Sequence, residues 1–315
     1  MRISIPAVLL SLSLAATLAA QPVDHARTRC TMTPAPLTPT VNDWLIERCA
    51  ADVQDNVIWQ LDRSDSVDGD LNGQAARRTT GRGSVVYVID TGILERHTEF
   101  QRDGGDIVLG GFDAHEASGG NSPCFNLALE PCYAGPGSRL RHGHGTAVAS
   151  TVAGRTVGIA PDTQLYAATV YPTQPGVREM TMWHTVLDHI AGHAWDPATP
   201  AFETAVITIS VPATPLPDDP MYLALVEKVR RMTVGVDAAG NEDPNGKKFL
   251  FTVAAGNLNP RLDLCHTFPA ILGKQLDGVV AVGGINRDNV WWSGSGTNVD
   301  VVEIVAPAQA PLLAS

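Results

Sequence analysis

Basic residues are scarce in this chain: 22 Lys and Arg stand against 33 Asp and Glu, a formal net charge of −11 over 315 residues. Such a surface repels phosphate backbones, which excludes nucleic acid as a partner. Long apolar runs are equally scarce. The one present, residues 3–18, falls short of the ~20 apolar residues that a spanning helix needs. With Arg2 before it and Ala19-Ala20 ahead of Gln21-Pro22, it has the three-part plan of a secretory signal peptide, residues 1–20. An exported chain, extracellular or periplasmic, is expected, without a membrane span once the signal is removed. That removal takes away one base, Arg2, and no acid, leaving 21 bases against 33 acids and a net charge of −12. Internal repeats are absent. Disorder throughout is excluded by composition, since 44% hydrophobic with 17% charged residues is a globular balance.

Cysteines number only five. In an exported chain they suggest disulfides, with Cys30–Cys49 and Cys124–Cys132 as the pairs that suggest themselves. Cys265 is then left over, either a buried free thiol or a cysteine whose partner is not among these residues.

Residues 21–55 are rich in Pro and Thr, with one short helix predicted over 41–51, and read as an extension or a remnant propeptide. From Ser84 onward short apolar runs alternate with helix-length segments. The runs are 85–89, 107–112, 165–170, 205–209, 249–254 and 279–282; the helices are predicted over 144–155, 181–194 and 221–232. Runs of that length, apolar on both faces, predict an α/β fold with a mostly parallel sheet covered by helices on both sides. Ligands in such sheets bind at the carboxyl ends of the strands.

At those ends lie residues with chemistry. The run VVYVID closes on Asp90, followed by Thr91-Gly92, where a buried acid is costly unless something pairs with it. His144 is expected to open the helix that continues through Ala147-Val148-Ala149, small residues that let it lie close to the sheet. A carboxylate and then a histidine, in that chain order, match the acid and base of an Asp-His-Ser hydrolytic triad.

These stretches, V-I-D-T-G-I (88–93) and G-H-G-T-A-V-A (143–149), resemble the aspartate and histidine signatures of subtilisin-like serine proteases, nearest the proteinase K branch. The resemblance continues through Val157-Gly158-Ile159-Ala160-Pro161 and Val253-Ala254-Ala255-Gly256-Asn257. It implies a three-layer subtilisin-like fold over 59–315, starting near Trp59-Gln60-Leu61-Asp62-Arg63, and hydrolysis of polypeptide substrates by a monomer. Asp90 would orient the imidazole of His144, His144 would act as general base, and Asn257 would donate to the oxyanion. Ser210, Ala254 and Gly256 would line the substrate. A rival A-A-G-N ends at Asn241 but leads into a polar turn, whereas Asn257 follows an apolar run. His142 matches no family position and reads as a loop neighbour. No cofactor is implied; structural calcium is common in the family, but no complete ligand set is visible.

Three departures stand out. Ser210-Val211-Pro212 replaces the family's Ser-Leu-Gly, and proline has no N–H to pair with a substrate backbone. The extension, about 38 residues (21–58), is short beside the ~50 of a folded inhibitory propeptide. Lastly, the family's nucleophile lies in Gly-Thr-Ser, and these 315 residues contain none: Gly145-Thr146 runs into Ala147, and Gly296-Thr297 into Asn298. Ser315 is not assigned that role. The expectation is a secreted serine endopeptidase whose Ser-bearing segment is missing from this chain, so that this form is inactive and apolar sheet surface is exposed. The alternative is an inactive relative serving as a secreted binding or inhibitory module. His189 and His193 stand four apart, a spacing that can hold zinc, but without the H-E-x-x-H glutamate they read as a solvated pair.

Overall fold

A computed structural model describes residues 52–65, 71–77, 79–117, 139–170, 179–195, 204–211, 220–235, 248–257, 268–296 and 301–308. The signal segment, the helix expected over 41–51, all five cysteines, Pro212, Asn241 and Ser315 lie outside them.

Seven strands form one parallel sheet: β3 (Val85–Asp90), β4 (Val108–Asp113), β5 (Gln164–Thr169), β6 (Thr204–Ile209), β7 (Lys248–Ala254), β8 (Val279–Ile285) and β9 (Ile304–Pro307). Their spatial order is β4-β5-β3-β6-β7-β8-β9. A small antiparallel pair, β1 (Asp52–Asp55) and β2 (Gln74–Arg77), stands apart and was not expected from the sequence. Helices α1 (Trp59–Asp62) and α2 (Ala114–Ala117) are single turns; α3 (Arg139–Ala153), α4 (Glu179–Trp195) and α5 (Pro220–Val234) make the outer layers. None of the described helices is long and apolar enough to cross a membrane.

The central strand shows why the sheet is a middle layer. Every residue of β3 is buried. Because side chains alternate, Val85, Tyr87 and Ile89 enter one core while Val86 and Val88 enter the other. The first core is closed by α4, through Met182, Trp183, Val186, Leu187 and Ile190, and by α5, through Leu225, Val229 and Met232. These positions recur every three or four residues, so each helix turns one apolar stripe to the sheet. The second core is closed by α3, whose Ala149 and Ala153 lie against β3 and β5. Alanines there let the helix axis approach the strands closely. Further along that face, Val206, Leu250, Val280 and Val282 are only half-buried.

Two histidines of α4 depart from the solvated pair expected of them. His189 and His193 are half-buried and hydrogen-bond to tyrosines of the sheet: His189 Nε2 and the Tyr166 hydroxyl at 2.7 Å, and His193 Nδ1 and the Tyr87 hydroxyl at 2.9 Å. His189 also stacks on Phe112, with ring centroids 3.8 Å apart. Burial pushes both phenol pKa values up, so the hydroxyls stay protonated. Burial, and then the neighbouring His193, hold His189 below its ordinary 6.5. A histidine with a depressed pKa stabilises the fold in its neutral form, a contribution lost as pH falls below 6.5 toward the lower folded value. The melting temperature is therefore expected to fall on acidification through that window. His189→Gln, which keeps an acceptor for Tyr166, is expected to flatten the slope; an unchanged slope in thermal melts from pH 7 to 5 would refute the assignment.

Candidate active site

The site is built where β3 stops. Asp90 shares the parity of Val86 and Val88, so its carboxylate points to the α3 side, and it is wholly buried. Its Oδ1 accepts the Thr91 backbone N–H at 2.7 Å and lies 2.7 Å from His144 Nδ1. A carboxylate only accepts, so Nδ1 carries the proton, and the neutral ring keeps its free lone pair on Nε2. The His144 side chain is half exposed, with 50% of its surface open to solvent. Its pKa lies above the ordinary 6.5, raised first by the hydrogen bond to Asp90, lowered by burial, and raised again by the Asp90 charge.

His144 does not open its helix as expected. α3 begins at Arg139, so His144 sits in its second turn, and His142 belongs to the same helix rather than to a loop. The basic pair Arg139 and Arg141 around Leu140 carries no apolar periodicity, which hid this first turn in the sequence.

Two threonines strap α3 to the turn after β3. Thr91 Oγ1 accepts the Gly145 N–H at 3.0 Å, and Thr146 Oγ1 accepts the Leu94 N–H at 2.9 Å. Gly92, at φ +101°, turns the chain between them. Contact is so close that a Cβ on Gly145 would fall 2.2 Å from the Gly92 carbonyl oxygen and 3.1 Å from Asp90 Oδ1. These positions were legible only as parts of D-T-G and H-G-T; their strapping role was missed.

Ser210, Ala254, Gly256 and Asn257 come to the same edge by register. Ile89 is level with Ile209, and Ile209 with Val253, so Asp90, Ser210 and Ala254 follow one another across β3, β6 and β7. All three alternate away from Ile89, Ile209 and Val253, which face the other core, and so belong to the α3 face. At ~4.8 Å per strand, Ala254 lies about 10 Å across the sheet from Asp90. Beyond it the chain is fixed by the Ala255 N–H on the Val282 carbonyl at 2.9 Å and the Gly296 N–H on the Gly256 carbonyl at 2.7 Å. Asn257 bridges to Ser295 and its side chain is exposed. Thus one open edge gathers an acid, a base and an amide.

Among the described residues no group of three or more His, Cys, Asp or Glu is placed to hold a metal. The neighbouring Asp62 and Asp65 turn their oxygens onto backbone N–H groups of Asn72, Gly73 and Ala76.

Comparison with known proteins bears on this arrangement. A sequence profile of the Subtilase family, peptidase S8, matches residues 81–314. The chain belongs to the subtilase family. Among relatives of this subtilase are an extracellular serine proteinase of Thermus sp. (strain Rt41A), 35% identical over 38% of this chain and 24% of its own length, and proteinase T of Parengyodontium album, 31% identical over 37% and 32%. Proteinase T places the chain's kinship in the proteinase K branch. The aligned stretches thus span a quarter to a third of those two relatives. The crystal structure of a cold-adapted subtilisin-like serine proteinase superposes with a TM-score of 0.56 at 23% identity, covering 80% of this chain and 72% of that one. The subtilase fold expected from the sequence is the fold observed.

Proposed function

We propose that this subtilase is the acid, base and oxyanion part of a secreted endopeptidase that cleaves polypeptides by acyl transfer. The observation that carries the reading is the 2.7 Å bond from His144 Nδ1 to the buried carboxylate of Asp90. It fixes the tautomer that leaves Nε2 free to take a proton. In the reaction Nε2 removes the proton of a serine hydroxyl as the oxygen bonds to the scissile carbonyl carbon, and the carbonyl electrons move to oxygen. Asn257 donates its amide hydrogen to that oxyanion. Nε2–H then protonates the leaving amine as the C–N bond breaks. Water attacks the acyl-enzyme by the same route in reverse, and the proton returns to the serine. Ser210, Ala254 and Gly256 line the extended substrate. Export after loss of residues 1–20, with 21–58 as a short propeptide and action as a monomer, completes the reading; the names of its relatives, which include extracellular proteases, support the export.

The nucleophile is unassigned because no Gly-Thr-Ser occurs in the 315 residues. Pro212, which lacks the N–H that the family's glycine offers a substrate backbone, favours a second reading, a catalytically silent subtilase used for binding. One experiment separates them. The 315-residue chain is expected to hydrolyse fluorogenic peptides at background, and a form extended past residue 308 by a Gly-Thr-Ser segment is expected to gain serine-reagent-sensitive hydrolysis. A folded extended form without activity would favour the second reading. In the active form Asn257→Ala is expected to lower turnover by roughly 10²–10³, the cost of one oxyanion donor measured in subtilisin itself.

A further inference from the structure

The carboxyl ends of β4, β5 and β3 carry three polar residues in one row. Register pairs Asp113 with Thr169, and Thr169 with Asp90. Thr169 shares the parity of Leu165 and Ala167, which enter the α3-side core as Val86 and Val88 do, so its hydroxyl and the Asp90 carboxylate lie on the same face. Asp113 follows Phe112, which packs on the opposite core, and so joins that face too. All three are more than nine-tenths buried.

Besides Asp113 Oδ2, two buried polar atoms of this row have no hydrogen-bond partner: Asp90 Oδ2 and Thr169 Oγ1. Leaving either unpaired away from water carries a full desolvation cost. They sit on paired residues of adjacent strands, whose backbones are ~4.8 Å apart. A hydroxyl can donate and a carboxylate can only accept, so the two orphans are complementary. Asp113 Oδ2 lies on the far side of Thr169 and could accept the same hydroxyl proton, but Asp113 has a further interaction of its own.

We propose that Thr169 is a positioning residue for the Asp90–His144 pair, its hydroxyl donating to Asp90 Oδ2 directly or through one buried water. This rests on the reading of that pair given above. Thr91 holds Oδ1 from the backbone and Thr169 holds Oδ2, so the carboxylate plane cannot swing away from Nδ1. The hydroxyl also draws off part of the negative charge that the imidazolium feels.

The test uses the 315-residue chain and follows His144 by NMR titration, which needs no nucleophile. In Thr169→Val, Thr91 still anchors Oδ1 while the carboxylate loses a donor, so His144 is expected to titrate about 0.5 pH unit higher, a roughly threefold gain in proton affinity. Thr169→Ser is expected to restore the wild-type value, and Thr169→Val in an Asp90→Asn background is expected to change nothing. Melting gives a second sign: Thr169→Val is expected to melt lower than wild type, whereas loss of a truly unpaired buried hydroxyl would raise the melting temperature. A folded valine variant with an unchanged or lowered His144 titration overturns the role of Thr169, while Asp90→Asn still lowering it would leave the pair intact. If Asp90→Asn fails to lower it, the reading of the pair falls and the role of Thr169 with it. Should the valine form not fold, Thr169→Ala is read by the same titration.

Discussion

Gly145→Ala and Gly143→Ala are expected to change stability in opposite directions, although they are the same substitution two residues apart in one helix. Alanine is favoured over glycine within a helix by about 1 kcal/mol. At Gly143 a new Cβ meets nothing within 4 Å among the described residues, so that gain should be realised. At Gly145 the same atom would fall 2.2 Å from a backbone carbonyl oxygen, where no side chain can swing aside. Either α3 or the 90–92 turn must retreat. Overpacking of this kind costs about 1–3 kcal/mol, occasionally more, and it exceeds the helix gain. It also pulls apart the Gly145–Thr91 bond. For a chain of this size each kcal/mol moves the melting temperature by about 1.5–2 °C. Differential scanning calorimetry should show Gly143→Ala at or above wild type and Gly145→Ala clearly below it, with His144 titrating lower because its bond to Asp90 is misaligned. Equal melting temperatures for the two variants would mean that the helix does not lie against the turn.

Asp90→Asn is expected to cost about 10⁴ in turnover in a form that carries a serine, the loss measured when the equivalent change is made in a chymotrypsin-type triad. The geometry supplies the reason. An amide opposite Nδ1 can offer N–H where the carboxylate offered a lone pair, so the ring turns to the tautomer that places its proton on Nε2 and leaves no base for the hydroxyl. In the 315-residue chain the change is read from His144 itself. The hydrogen bond and charge of Asp90 raise its pKa above 6.5 and burial opposes them, so removing Asp90 leaves burial alone, and the value is expected to fall below 6.5. The sign also fixes a stability effect. In wild type the raised value adds stability below pH 6.5 that is lost as pH rises through the folded pKa; Asp90→Asn should abolish this contribution. A histidine titration indifferent to residue 90 would refute the pairing.

The strands were legible because a parallel sheet buried on both faces leaves continuous apolar runs, and the observed edges of β3 to β8 fall within a few residues of those runs. Asp90 and His144 were legible because each sits in a short signature next to a glycine that close packing requires. What escaped notice was carried by contacts between distant parts of the chain. The spacing of His189 and His193 announces a shared helix face, but the tyrosines that bind them lie on β3 and β5 and share no local pattern with them. β9 escaped because four residues ending in Pro307 make a weak strand signal, tolerable only at a sheet edge. Thr169 looked like one more residue of an apolar strand; only its register against Asp90 gives it a neighbour worth noticing.

The site is divided along the sheet. Asp90 and His144 come from β3 and α3, strapped to each other by Thr91 and Thr146, whereas Ser210 and the 254–257 segment hang from the tips of β6 and β7. On the function proposed above, proton handling and substrate contact therefore reside in separately anchored parts of the chain. A substitution at the tips of β6 and β7 can therefore alter what is gripped there and leave the Asp90–His144 bond as it is.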